Sequence, residues 1–196
     1  MDDELAGAFA DASRFLAQAA ALVPDDRWDG PGLGTWTLRE LAGHANRSHA
    51  TIEEYLLRPR APELPGSAYF SAESIAARGR EAVAVLGADP AAAVAAASAE
   101  AIALVGRTAP DAVVGSPAGT MTLRQYLPSR IAELTVHGLD IVAAAGAALD
   151  PPASALRASL AFAAAAAARR GGTKDATAVL LALTGRGALP AGYSIY

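Results

Sequence analysis

The sequence predicts an all-α protein built as an up-and-down helical bundle, and three observations carry that reading. Apolar residues recur at three- and four-residue spacing along several long segments. Helix-start signals stand immediately before several of those segments. Strand character is confined to "DAVVGSPAGTMTL", where two adjacent β-branched residues sit among turn formers, so at most a short strand is expected there.

The first helix is expected over residues 3 to 23, on the stripe Leu5, Phe9, Ala12, Leu16 and Ala19, and Pro24 ends it. The loop "PDDRWDGPGLG" follows. Thr37 and Glu40 then form a T-x-x-E capping box, in which hydroxyl and carboxylate each satisfy a free backbone N–H, and a second helix should run from about 38 to 57. The prolines of "RPRAPELPG" interrupt it.

A third helical stretch is expected over 72 to 87. Asp89 and Pro90, an N-cap and first-turn pair, restart a helix to about Gly106. Thr122 and Gln125 repeat the capping-box pattern, but Pro128 falls at the sixth helical position. The next helix is therefore expected to begin or kink at Pro128 and to run to about Ala145. Residues 153 to 169 and 174 to 184 supply two more helices, separated by "RRGG", and the tail "LPAGYSIY" is extended.

Composition narrows the function. A chain of 196 residues that is 53% hydrophobic and 18% charged can bury one sizeable core, so residues 1–196 are expected to form a single domain. The formal net charge of -4 offers no basic field for a phosphate backbone, and no nucleic-acid partner is expected. Without cysteine there is no disulfide framework, no cysteine zinc site and no protein thiol nucleophile, so any thiol chemistry must come from a bound small molecule.

The acidic start "MDDELAGAF" lacks the features of a secretory signal, and a cytoplasmic protein is expected. The run "ASLAFAAAAAA" is too short and too alanine-rich for a membrane span. Its exposed alanine faces leave a homodimer open.

The chemistry concentrates on the helix containing "AELTVHGL". At about 100° per residue, Arg130, Glu133, His137 and Asp140 share one narrow stripe, with Tyr126 near its upper end. The rest of the circumference is largely apolar, and a charge at a buried position is costly unless paired or bound to metal. Taken alone, the stripe reads equally as a solvated face held by i,i+3 and i,i+4 pairs, with Arg130 bonded to Glu133 or Asp140.

His44 changes the balance. It lies in "ELAGHANRSH", among small residues that would let another helix approach closely. His44, Glu133 and His137 together make a His2Glu set, and three protein ligands leave a metal position open for water or substrate. One helix would bind through E-x-x-x-H and a facing helix would supply the third ligand. Asp140 and Arg130 are candidates to orient or pair with the ligands.

His49, five residues beyond His44, points about 140° away on the helix and is read as surface, near Glu53. Arg47, one turn after His44, could meet an anionic substrate or cofactor, but it reads as a solvated arginine and is left outside the site. No serine-nucleophile elbow, phosphate loop or H-E-x-x-H motif is present.

Two segments carry a family resemblance. "TWTLRELAGHANRS" resembles the first signature of the DinB-like superfamily, in its mycothiol-dependent maleylpyruvate isomerase N-terminal branch, where a Trp and a capped helix lead to a metal-binding His. "YLPSRIAELTVHGLDIVAAAG" resembles the second, R-x-x-E-x-x-V-H-x-x-D, and "LLALTGRGALP" is also similar to this branch.

The resemblance implies a DinB-like up-and-down four-helix bundle, with extra short helices, in which His44, Glu133 and His137 bind a divalent metal, usually zinc. It further implies a low-molecular-weight thiol such as mycothiol, used in isomerisation or S-transfer on a small electrophile. Maleylpyruvate isomerases of the family carry a further C-terminal domain, whereas about fifty residues follow the second signature here, so a different substrate is expected. Two alternatives stand beside the thiol enzyme: a hydrolase in which the same metal activates water, and a non-catalytic binding or stress protein.

Overall fold

The computed structural model describes residues 3–57, 81–116 and 119–195. Four long helices build the core: α1 (Asp3–Ala21), α2 (Leu38–Leu57), α3 (Pro90–Arg107) and α4 (Leu123–Ala145). A fifth, α5 (Ala153–Leu183), packs on α4 and α1. Within the bundle, α1 and α2 each lie against both α3 and α4 and face each other across the diagonal. The chain is all-α, and among the described residues its strands are limited to a two-stranded hairpin.

The spacing of apolar residues sets which face each helix buries. On α1, Phe9, Ala12, Leu16 and Ala19 are fully buried, as the stripe predicts, and Phe15 joins them. On α2 the buried face includes Leu38, Leu41, Ala45 and Ile52; on α4 it includes Leu127, Ile131, Leu134 and Ile141. By length and composition α3 could cross a membrane, but here Val94, Ala101 and Val105 belong to the bundle core.

The capping signals work as their chemistry requires. Glu40 N–H donates to Thr37 Oγ1 at 3.1 Å, and Thr37 N–H donates to Glu40 Oε2 at 2.8 Å. Asp89 Oδ1 accepts from Ala92 N–H at 2.9 Å ahead of Pro90. At the same end of the bundle, Arg27 donates to the Ala144 carbonyl at 3.2 Å, satisfying a carbonyl in the last turn of α4.

Two expectations change. The helix does not begin at Pro128: α4 begins at Leu123 behind a complete Thr122–Gln125 capping box and carries Pro128 inside it. The reciprocal cap satisfies the first-turn N–H groups, so the helix is nucleated before proline removes its one donor. The extended segment is a hairpin and not a lone strand: β1 (Val113–Ser116) pairs antiparallel with β2 (Gly119–Thr122), in the register Val113 with Thr122. Val114 is the strand residue buried in the core. The expected "RRGG" break is present: α5 joins two helices across a kink at Gly172, whose φ of 58° and ψ of -146° are non-helical.

Most of the expected 72–87 helix, and the "RPRAPELPG" break, lie outside the described residues. Of that stretch, residues 81–86 are helical.

Candidate metal centre

The two helices that face each other at the centre are α2 and α4. The residues that let helix 81–86 approach α2 are the small ones noted around His44. A Cβ on Gly43 would lie 3.2 Å from backbone atoms of Ala82 and Val83, so the absent side chain is what permits this crossing. On α4, a Cβ on Gly138 would fall 2.5 Å from the Phe15 ring. The Phe15 ring therefore rests directly on the α4 backbone beside His137.

Where α2 packs against α4, the three residues come together. His137 Nε2 lies 3.3 Å from Glu133 Oε2, and His44 Nε2 lies 3.9 Å from the same oxygen. One donor atom from each of His44, Glu133 and His137 falls within 4.8 Å of the other two. A tetrahedral ion with bonds of about 2.0–2.2 Å holds its ligand atoms about 3.3–3.6 Å apart. The Glu133–His137 edge already has that length, and His44 needs only a small approach. The donor set, two imidazoles and a carboxylate, is one that zinc and similar divalent ions take.

Around the triad, His137 Nδ1 lies 3.1 Å from Asp140 Oδ2. A carboxylate only accepts, so Nδ1 carries the proton and donates, which turns Nε2 toward Glu133 and the centre. Trp36 stacks against His44 with ring centroids 4.7 Å apart and planes tilted by 41°. The loop that delivers Trp36 is tied by Gly32 N–H donating to the Trp36 carbonyl at 2.8 Å and by Trp36 N–H donating to the Leu33 carbonyl at 3.0 Å. His44 and His137 meet edge to face, with centroids 4.9 Å apart.

The charges are strongly coupled. Burial works against the Glu133 carboxylate, but the hydrogen bond from His137 and the charges of Arg130, His137 and His44 outweigh it and bring the group down to about 2. Burial also works against a charged His137, yet its hydrogen bonds to Asp140 and Glu133 win and raise it to about 9. Without a cation between them, His137 and Glu133 therefore form an ion pair near neutral pH.

The structure thus brings His44, Glu133 and His137 to one point and sets Asp140 behind His137. Arg130 is placed differently from the expected pairing. Its guanidinium lies over the Tyr126 ring, 5.0 Å from the centroid, and its Nε donates to Ser129 Oγ at 3.3 Å. It forms an ion pair with neither Glu133 nor Asp140 and influences Glu133 through its charge alone.

His49 is not a surface residue. It is 2% exposed, its Nδ1 lies 3.0 Å from Asn46 Oδ1, and Phe9 meets its ring edge to face. Burial lowers it to about 4, so it is neutral, and Glu53 is on the exposed side of α2. The 140° offset did carry it away from His44, but into the bundle, because the buried arc of α2 is wider than its apolar residues indicate.

Contacts that sequence reasoning missed are Trp36 on His44, which only the family signature hinted at, and the Tyr126 hydroxyl donating to Thr51 Oγ1 at 3.0 Å across the two helices. A hydroxyl pair seventy-five positions apart leaves no trace in local spacing.

Asp140→Asn would keep the shape but weaken the acceptor on Nδ1. It is expected to lower divalent-metal affinity about 10- to 100-fold, measured by competition with a chromophoric chelator, with little change in melting temperature.

No curated protein and no solved structure matches the chain. Residues 9–142, which include α2, most of α4 and all three members of the triad, match the family described as mycothiol maleylpyruvate isomerase N-terminal domain, within the DinB-like superfamily, and the chain belongs to that family.

Proposed function

We propose that the chain is a divalent-metal-dependent enzyme in one domain, with zinc held by His44, Glu133 and His137. It uses a low-molecular-weight thiol such as mycothiol in S-transfer to, or isomerisation of, a small electrophile. The observation that carries the reading is the convergence of three donor atoms from two helices within 4.8 Å, in a half-buried setting. Membership of a family named for a mycothiol-dependent isomerase supports the thiol.

A divalent cation here supplies the positive charge that keeps a thiol, ordinarily with a pKa of ~8.5, ionised at neutral pH. The chain's own residues do the rest. Asp140 holds the Nδ1 proton of His137 and so presents the Nε2 lone pair to the centre. Trp36 covers one face of His44 and keeps water from that side. A chain without cysteine neither supplies nor competes for the sulfur.

The test is turnover of small electrophiles by zinc-reconstituted protein, with thiol and without it. The expected result is product only when metal and thiol are both present. Activity undiminished by omitting thiol would overturn the thiol reading in favour of hydrolysis.

A further inference from the structure

Two contacts set the register of α2 against α4: His44 beside Glu133, and Thr51 bonded to Tyr126. Between them stands one arginine on each helix. Arg47 is three residues after His44 and four before Thr51; Arg130 is four after Tyr126 and three before Glu133. At about 1.5 Å of rise per residue, both lie roughly one turn, about 5 Å, from the triad along the helix axes and on the same side of it.

Both arginines are half-buried. No carboxylate among the described residues lies within ion-pair distance of either one. Arg130 is nevertheless fixed in place, by the Tyr126 face and by the Ser129 hydroxyl at its Nε, which leaves its terminal nitrogens for another acceptor. Tyr126 is itself anchored to α2 through Thr51. A guanidinium partly removed from water gains from an anion held in direct contact, which neither arginine has among the described residues, and the planar fork of each matches a carboxylate.

We propose that Arg47 and Arg130 bind a carboxylate carried by the electrophilic substrate and so place its reacting carbon at the metal centre. The separation of about one turn suits a short-chain acid whose electrophilic carbon is two or three bonds from that carboxylate. Arg130 is the pre-positioned member, and Arg47, nearer the exposed side of α2, closes on the anion from the facing helix. The inference rests on the proposed thiol enzyme for the nature of the reactant, but the anion site itself does not require the metal.

The experiment is calorimetric titration of the protein with succinate and with succinamide, its uncharged counterpart, with and without bound zinc. N-acetylcysteine and its amide are titrated in parallel. Succinate is expected to bind and succinamide not to. Arg47→Gln and Arg130→Gln should each weaken succinate about 10- to 100-fold, Arg47→Lys should retain part of the affinity, and zinc content should stay unchanged in all three. The two cysteine derivatives should bind alike.

Succinate binding that is absent, or that is indifferent to both substitutions, overturns the proposal. So does an arginine-dependent preference for N-acetylcysteine over its amide without succinate binding, which would give the carboxylate to the thiol. Should Arg130→Gln disturb folding by unstacking Tyr126, Arg47→Gln alone decides. Arginine-dependent succinate binding in a protein that takes up no zinc would support the anion site while refuting the metal reading.

Discussion

At pH 7, uptake of one divalent ion by the chelator-stripped protein is expected to release about one proton per chain, and affinity should rise about tenfold per pH unit from 6.5 toward 9. The reason is His137. Raised to about 9 by Asp140 and Glu133, it is charged at neutral pH, and its Nε2 must lose a proton before it offers a lone pair. Glu133, held down to about 2, is already ionised and releases none.

The same groups fix how the metal-free protein responds to pH. The folded value of His137 lies above its ordinary 6.5, so its contribution to stability is complete below pH 6.5 and is lost as pH rises through 9. The folded value of Glu133 lies below its ordinary 4.5, so its contribution is present above pH 4.5 and is lost as pH falls through 2. One ion pair is being counted from its two ends. The stripped protein should therefore lose stability between pH 6.5 and 9 while gaining metal affinity, and zinc should raise the melting temperature more at pH 8.5 than at pH 6. Calorimetry in buffers of different protonation enthalpy measures the protons directly. Proton release near zero with affinity independent of pH would mean that His137 is not a ligand.

Phe15→Ala is expected to destabilise the fold by about 3–5 kcal/mol, the usual cost of removing a buried phenyl ring. Phe15 is fully buried and rests on Gly138, where no other residue leaves room for the ring. The cavity would open directly behind His137, so weaker metal binding should accompany the loss of stability. Gly138→Ala approaches the same contact from the other side. Its methyl would lie 2.5 Å from the ring, and overpacking of this kind costs about 1–3 kcal/mol. Urea denaturation at constant slope measures both; a loss below 1 kcal/mol for Phe15→Ala would show that the contact does not brace α4.

Much of this was legible from local pattern. The capping box at Thr37, the N-cap at Asp89 and the stripe from Phe9 to Ala19 act over three or four residues, and the structure realises each. Glu133 and His137 share a face for the same local reason. Their meeting with His44 depends instead on how α2 faces α4, which spacing alone does not specify; the family signatures pointed to it, whereas the small Gly43 beside His44 admits helix 81–86.

The misreadings share a cause. Pro128 was weighed by its own propensity, whereas the cap ahead of it decides where α4 starts. The 140° offset of His49 from His44 reads as surface, whereas Asn46 and Phe9 make a buried place for it. Spacing offers Arg130 the carboxylates of Glu133 and Asp140, whereas an aromatic face one turn away holds it. In each case a neighbour that local spacing weighs too little prevails.

The account depends on one ion being held by side chains of two helices, and a zinc titration of chelator-stripped protein, wild type beside His44→Ala, tests this most directly. It predicts one zinc per chain for the wild type and an affinity at least about a hundredfold lower for His44→Ala. Absence of stoichiometric zinc in the wild type, or equal affinity in the two proteins, would contradict it.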